Sequence, residues 1–558
     1  MFLEISKLKE ILIKPGYIKE VDFLLALKNS KSKNIKINKS LVDLGFIKDE
    51  ELGQLIAQEL KLSFINLRNE KINEKTFKKI PELVARSKKV IAFSEDKDSV
   101  KVAFVDPYDD LELENFLKTK FQKKIKIYLM TNNDFLGVLK FYKGSLKEEI
   151  KDVFQSEDSN LDESEIIKLV DIIIEHAFLS AASDIHIEPH LKMYVIRFRI
   201  DGLMHVMSEI PKEKAELIIS RIKILSKMRI DEHQRAQDGK FRYKIEDNSI
   251  DIRVSIIPVN QGENIVMRLL TDVSGALDLD SIGLSRKNYE KIQKIIKDPH
   301  GLVVSSGPTG SGKTTTIYEI LKILNTEQVH ISSIEDPVEY NLEGVSQIQV
   351  NPKVDLTFAK GLRAIVRQDP DIIMVGEIRD IETAKIAVNS AMTGHLVLST
   401  MHANDAATTI NRLLDMGIEA YLVSSTVNAI VAQRLVRRLC EKCRYSYHLN
   451  DDELFAMKSD NVIRSYFEKK NKKIEDITFY KSKGCKICAG SGYKGRVGVY
   501  EIMELSSAIK ELIVSHASAD EINRKALSEG MISILEDGLD KAVNGVTSID
   551  EVLRVTKT

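Results

Sequence analysis

The chain has 558 residues, with 82 Lys and Arg against 83 Asp and Glu, a formal net charge of −1. At roughly 150 residues per domain this length predicts three to four domains, and so even a balance excludes a protein that coats nucleic acid through an overall basic excess. Hydrophobic residues at 43% and charged residues at 30% exclude wholesale disorder, and no apolar run approaches the roughly 20 residues of a membrane-spanning helix. The N-terminus, Met1-Phe2-Leu3-Glu4-Ile5-Ser6-Lys7, has no signal-peptide core, so a cytoplasmic protein without a direct membrane span is expected, reaching a membrane only through a partner.

Residues 1 to about 60 carry a weak repeat. Lys7-Leu8…Gly16-Tyr17-Ile18-Lys19 returns as Lys36-Ile37…Gly45-Phe46-Ile47-Lys48. Each unit predicts a short helix, a glycine stop and a second amphipathic helix. Strands are predicted over 90–93 and 100–105, giving an N-terminal α/β domain over 1–142. The polar, acidic stretch 143–163 reads as a linker. A helix over 164–180 and alternating strands over 194–200 and 250–257 predict a second, α+β domain over 164–287. From 288 to 438 the pattern changes to buried-type strands (302–305, 331–334, 372–375 and 396–399) separated by helical segments. That is a parallel sheet covered by helices. A cysteine-bearing subdomain over 439–500 and a helical part over 501–558 complete the chain.

The strongest local signal is Gly307-Pro308-Thr309-Gly310-Ser311-Gly312-Lys313-Thr314, which fits GxxxxGK[ST]. It follows a predicted strand and opens a helix at Thr315, as a phosphate loop must. Its glycines let backbone N–H groups curl around phosphates, and the helix N-terminus adds its dipole. Lys313 can reach the outer phosphates and the Thr314 hydroxyl can hold Mg²⁺. The alternative, an accidental Gly-rich turn, does not explain this context.

Glu377 closes the apolar run that begins at Asp369-Pro370. A carboxylate at the C-terminal end of a parallel strand beside a phosphate loop is placed to polarise an attacking water, or else to cap the helix after Asp380. Glu335, Asp336 and Glu339 cluster around Pro337 as metal and water organisers or as a solvated turn. His395 and His402 flank the strand predicted over 396–401, either as phosphate-sensing groups or as structural histidines. Arg363 and Arg367 lie four apart on one helix face, and Arg253 and Arg268 lie in the second domain. Phosphoryl transfer needs such positive charge, often from another domain or subunit; surface ion pairs are the alternative. The only four cysteines are Cys440, Cys443, Cys485 and Cys488, two C-x-x-C pairs 41 residues apart. Four thiolates in two pairs suit tetrahedral Zn²⁺, with unliganded thiols as the alternative.

These motifs, in this order, resemble the secretion ATPases of the type II secretion and type IV pilus superfamily. The resemblance rests on the stretch from Ser183-Asp184-Ile185-His186-Ile187-Glu188-Pro189 through the phosphate loop, the Glu335–Glu339 carboxylates, the Arg363 and Glu377 segments, Thr393-Gly394-His395 and the tetracysteine. It implies an α/β protein with a RecA-like P-loop NTPase motor domain, preceded by a PAS-like domain and an N-terminal docking domain, and a homohexamer with ATP and Mg²⁺ bound between the domains. It further implies Glu377 as general base, Glu339 as metal or water organiser, the four arginines converging on the phosphates, and His395 and His402 sensing them. Lys240 stands where relatives carry Arg, keeping charge but not bidentate geometry. The N-terminal domain is implied to dock on the cytoplasmic arm of an inner-membrane protein. In some relatives it binds cyclic-di-GMP through a motif beginning Arg-Leu-Gly; here Lys7-Leu8-Lys9 and Lys36-Ile37-Asn38 lack the glycine, which argues against that ligand. The implied function is a cytoplasmic ATPase, peripheral to the inner membrane, that drives pseudopilus assembly and protein export. Pilus or transformation-pilus assembly is the alternative, and a RecA-like DNA translocase a more distant one.

Overall fold

A computed structural model of the chain describes residues 5–33, 35–67, 70, 72–106, 111–139, 141–142, 144–154, 162–245, 248–270, 279, 281–339, 341–471 and 473–556. The chain divides into two compact units, Met1–Ala276 and Leu277–Thr558.

The first unit opens with helices Ile5–Ile13, Glu20–Lys33, Ile37–Asp43 and Asp49–Glu59. Gly16 and Gly45 turn the chain with φ of 84° and 74°, the stops the repeat predicts. Leu8, Leu12, Phe23, Leu41 and Leu52 form their small core. A four-stranded sheet follows: β1 (Ser63–Phe64), β2 (Val90–Glu95), β3 (Ser99–Phe104) and β4 (Lys124–Leu129), in the order β1-β4-β3-β2. The stretch read as a linker holds a helix, Leu146–Phe154. Its charges mask an apolar stripe: Leu146, Ile150 and Val153 lie on one face and are buried in the next core. Residues 155–161 of that stretch lie outside the described residues.

Helix Glu163–Leu179 starts at a capping box between Asp162 and Glu165. With helix Lys212–Leu225 it packs on one face of an antiparallel sheet: β5 (Ala182–Pro189), β6 (Met193–Ile200), β7 (Leu203–Pro211), β8 (Gln237–Ile245), β9 (Asn248–Val259) and β10 (Gly262–Leu270), ordered β7-β6-β5-β10-β9-β8. Ile185, Ile187, Phe198, Ile252, Val254 and Met267 point into that core. The alternate residues make a charged face, on which Lys240, Arg253, Arg268, Asp184 and Arg199 stand in one cross-strand row.

The second unit is built on seven strands: β11 (Gly301–Ser306), β12 (Ile331–Glu335), β13 (Val345–Gln349), β14 (Ile372–Val375), β15 (Leu396–Met401), β16 (Val427–Leu439) and, last in the chain, β19 (Tyr493–Glu504). The order is β13-β12-β14-β15-β11-β16-β19, parallel throughout except for β19 against β16. Leu302 and Val304 enter the core on one face, Val303 that on the other, which is why the central strands read as unbroken apolar runs. The connection from β16 to β19 carries the cysteines, a two-stranded sheet of β17 (Arg444–Tyr447) and β18 (Phe479–Ser482), and helices Asp451–Ser459 and Asn461–Lys469. Residues 493–500, expected in the cysteine subdomain, thus belong to a strand of the large sheet. Four helices from Ser507 to Thr556 follow. Among the described residues no helix is long and apolar enough to cross a membrane.

A candidate nucleotide site and a tetracysteine centre

β11 runs directly into the phosphate loop. Gly307, Gly310 and Gly312 have φ of 153°, 76° and 88°, a region L side chains rarely adopt. At Gly307 a Cβ would also lie 2.6 Å from the carbonyl oxygen of Gln433. The loop ends on helix Lys313–Leu324, whose N-terminus favours an anion. Lys313 is only 8% exposed, and its Nζ donates to the carbonyls of Gly307 (2.9 Å) and Pro308 (3.1 Å). Burial pushes its pKa down to about 8; Glu377 opposes that shift and Arg434 adds to it.

β14 delivers Glu377 to the same edge of the sheet. Gly376 donates to the Ile334 carbonyl (2.8 Å), and its missing side chain lets the chain pass close over Glu335. Thr400 Oγ1 donates to the Gly376 carbonyl (2.7 Å) and Ile378 N to the Thr400 carbonyl (3.0 Å), so both neighbours of Glu377 are pinned to β15. Glu377 Oε1 pairs with Arg379 (2.6 Å), and Oε2 lies 3.7 Å from His402 Nε2. Burial first, then Lys313, lowers the His402 pKa against a smaller opposing pull from Glu377, and the net shift favours the neutral ring. Lys313, Glu377, Arg379 and His402 therefore gather where β11, β14 and β15 end.

His395 does not join them. It precedes β15, level with Gly301 at the start of β11, whereas the phosphate loop follows the far end of that strand. It stands about 20 Å from His402 along the strand, with Nδ1 held 2.9 Å from the Ser390 carbonyl. This corrects its expected role as a phosphate sensor: two residues that flank a strand in sequence occupy its opposite ends. Arg363, on helix Phe358–Ile365, pairs with Glu382, and Arg367 donates to the Arg363 carbonyl (2.8 Å). Among the described residues, neither arginine touches the phosphate loop. Glu339 is exposed, its N–H 3.4 Å from the Tyr318 hydroxyl. The buried carboxylate of the trio is Glu335, held by the Tyr318 hydroxyl, Ser333 Oγ (2.6 Å) and Gln347 Nε2 (3.1 Å). Arg253 and Arg268 lie on the charged face of the six-stranded sheet in the first unit, where Arg268 Nε reaches Asp184 (3.0 Å).

The four cysteine sulfurs lie within 4.8 Å of one another. Cys440 to Cys485 and Cys443 to Cys488 are each 3.8 Å, and Cys485 to Cys488 is 3.6 Å. An ion bonded tetrahedrally to four sulfurs at about 2.3 Å holds them about 3.8 Å apart, so the donor set fits one. Burial pushes the Cys488 thiol up, but N–H donation from Cys485 (3.1 Å) and Gly492 (3.2 Å) outweighs it and brings the pKa to about 7. Burial and the neighbouring thiols push Cys443 up to about 12.

A family model described as Type II/IV secretion system protein matches residues 159–554, and the MshEN domain matches residues 60–148. The chain is 44% identical over 416 residues to the type II secretion system ATPase E of Vibrio cholerae, covering 74% of this chain and 79% of that protein. It is 36% identical over 566 residues to the type IV pilus assembly ATPase PilB of Myxococcus xanthus, covering 98% of each. The chain belongs to the type II/IV secretion system protein family. It is an ATP-hydrolysing enzyme of mixed α/β fold. That fold is shared with the Legionella pneumophila ATPase DotB, at a TM-score of 0.51 and 20% identity over 72% of this chain and 98% of DotB.

Two residues of this secretion ATPase's candidate site, Arg379 and Gln433, escaped the sequence reading, and Glu335 was not set apart. Arg379 lies two positions after Glu377, but only the turn after β14 brings its guanidinium to that carboxylate. Glu335 was grouped with its neighbours, and only its burial singles it out. Gln433 interrupts an apolar strand, and an amide at such a position signals a buried hydrogen-bonding partner.

Proposed function

We propose that this secretion-system ATPase is the cytoplasmic motor of a type II secretion system: a homohexamer in which Mg-ATP hydrolysis drives domain rotation, pseudopilus assembly and protein export. The observation that carries this reading is the convergence of Lys313, Glu377 and His402 at the mouth of the phosphate loop. Insertion of β15 between β11 and β14 supports a RecA-like motor domain, and the helix-backed antiparallel sheet supports a PAS-like domain before it. Gly307 through Thr315 cradle the phosphates and Thr314 is the protein's magnesium ligand. The metal supplies charge neutralisation on the phosphates. Glu377 accepts a proton from the attacking water, and Arg379 holds that carboxylate in the resting subunit. His402 hydrogen-bonds the terminal phosphate, and Glu339 organises metal or water. Arg253, Arg268, Arg363 and Arg367 bring positive charge to the phosphates when subunits assemble. Zinc on Cys440, Cys443, Cys485 and Cys488 ties the excursion between β16 and β19 together. The N-terminal domain docks on the cytoplasmic arm of an inner-membrane partner.

Higher identity to the secretion ATPases favours export, whereas the match to a pilus-assembly ATPase along 98% of the chain favours pilus extension as the second reading. Steady-state ATPase across protein concentration, with and without the cytoplasmic segment of a candidate inner-membrane platform protein, tests the motor. Turnover should rise with concentration and partner and vanish in Lys313→Ala. Turnover indifferent to both but stimulated by DNA, with salt-sensitive DNA binding, would replace the motor by a DNA translocase.

A further inference from the structure

Gln433 is completely buried on β16, the strand beside β11. The register pairs Ser305 with Val431 and Ser306 with Ala432, which brings Gln433 level with Gly307 at the root of the phosphate loop. Both ends of its amide are used. Nε2 donates to the Ser311 carbonyl (2.7 Å), and Oε1 accepts from the hydroxyls of Thr316 (2.7 Å) and Ser305 (3.4 Å). Its backbone carbonyl fills the space a side chain at Gly307 would need, and its amide lies 3.1 Å from where a Cβ of Gly312 would stand. One side chain thus spans the root of the loop, its last turn and the first turn of the helix after it. An amide is placed in an apolar strand only where such partners await it.

We infer that Gln433 is a positioning residue for nucleotide binding, one that holds the phosphate loop in its cradle shape before the nucleotide arrives. This rests on the loop being the ATP site. Without the brace the loop must be ordered at the moment of binding, and affinity is lost in proportion. Arg434, the next residue, donates to the Asn404 carbonyl (2.7 Å), so the same strand also grips the segment that follows His402.

The test is displacement of a fluorescent ATP analogue from the full-length chain, with steady-state kinetics alongside. Gln433→Met keeps the volume and removes the hydrogen bonds. Its Kd and KM should rise about tenfold, with kcat at saturation nearly unchanged. A variant that melts earlier but binds with the original Kd would make Gln433 a core residue only and overturn the inference. Gln433→Glu supplies a readout that stability alone does not move. Ionised, its carboxylate faces the Ser311 carbonyl; protonated, its O–H donates there while the other oxygen still accepts from Thr316. Measured against the unchanged chain, its Kd should recover as pH falls through the titration of the introduced carboxyl, followed by its infrared band, and a Kd that does not track that titration would overturn the inference. Lys313→Ala in the same titration tests the loop itself: binding as tight as in the unchanged chain would remove the nucleotide site from this loop, whatever Gln433 does.

Discussion

Raising the pH from 7.5 to 9.5 should weaken nucleotide binding through one group. Burial takes the Lys313 pKa from 10.5 to about 8, so an ammonium that would be charged at pH 9 in free solution is largely neutral in the empty site. The displacement corresponds to about 3 kcal/mol held against the charged form. At 8% exposure, solvent does little to screen it. A triphosphate supplies the opposite charge and returns the proton. Affinity should be flat below pH 8 and fall by up to about tenfold per pH unit above it, because binding then takes up a proton. The sign for folding is opposite. The unfolded chain holds the proton up to 10.5, so the cost of burying the charge is fully present below about pH 8 and relieved as pH rises toward 10.5. The empty fold therefore becomes more stable as pH rises through that window, and weaker binding there is not unfolding driven by this group. Titration calorimetry with a non-hydrolysable ATP analogue at pH 7.5, 8.5 and 9.5, in two buffers of different ionisation enthalpy, reads affinity and proton uptake together. A constant Kd, no proton uptake, or the same slope in Lys313→Ala would refute the reasoning.

Glu377→Gln should keep nucleotide affinity and lose at least about 100-fold in turnover; unchanged turnover would remove Glu377 from the base role. Elemental analysis of the purified chain should find one zinc, reduced in Cys443→Ser, and a metal-free protein purified under reducing conditions would count against the centre. Glu551, 1% exposed, accepts from Arg437 Nε (3.0 Å) and Nη2 (2.8 Å) and from Arg554 Nη2 (2.7 Å), and against its burial these bonds hold its pKa near about 2. Glu551→Gln should lower the unfolding free energy by about 3 kcal/mol, since it leaves the Arg437 guanidinium half-buried without its anion. The stabilisation from this carboxylate is complete above about pH 4.5 and is lost as pH falls toward 2; a denaturant midpoint insensitive to the substitution would sink that account.

What was legible followed from how far each feature extends along the chain. The phosphate loop is contiguous, and its chemistry is fixed by glycines, a lysine and a hydroxyl in consecutive positions, so spacing alone identifies it. The central strands are covered on both faces and read as apolar runs. The helix Leu146–Phe154 was hidden because only three of its residues are buried, set among five charged ones. His395 was misplaced because a strand's two flanks look alike in sequence, while in a parallel sheet only the C-terminal flank meets the loop. Gln433 and Arg379 act through contacts that exist only once β16 lies against β11 and the turn after β14 folds back.

The charged face of the six-stranded sheet could not be read from sequence either, and it bears most directly on the proposed hexamer. Lys240, Arg253 and Arg268 are scattered along the chain, yet the register sets them side by side on three neighbouring strands. Like charges directly opposite one another destabilise a sheet by a few tenths to about 1 kcal/mol per pair. Asp184 answers Arg268 at 3.0 Å, but Arg199, Nε 3.4 Å away, draws on the same carboxylate. Asp251, two positions before Arg253 on β9, adds a negative charge near Lys240 and Arg253, and its hydrogen bond to Arg242 first, then both of these cations, lower its pKa. In the proposed hexamer, an anion brought to this row would add to the carboxylates that already face it, which is the role proposed for Arg253 and Arg268.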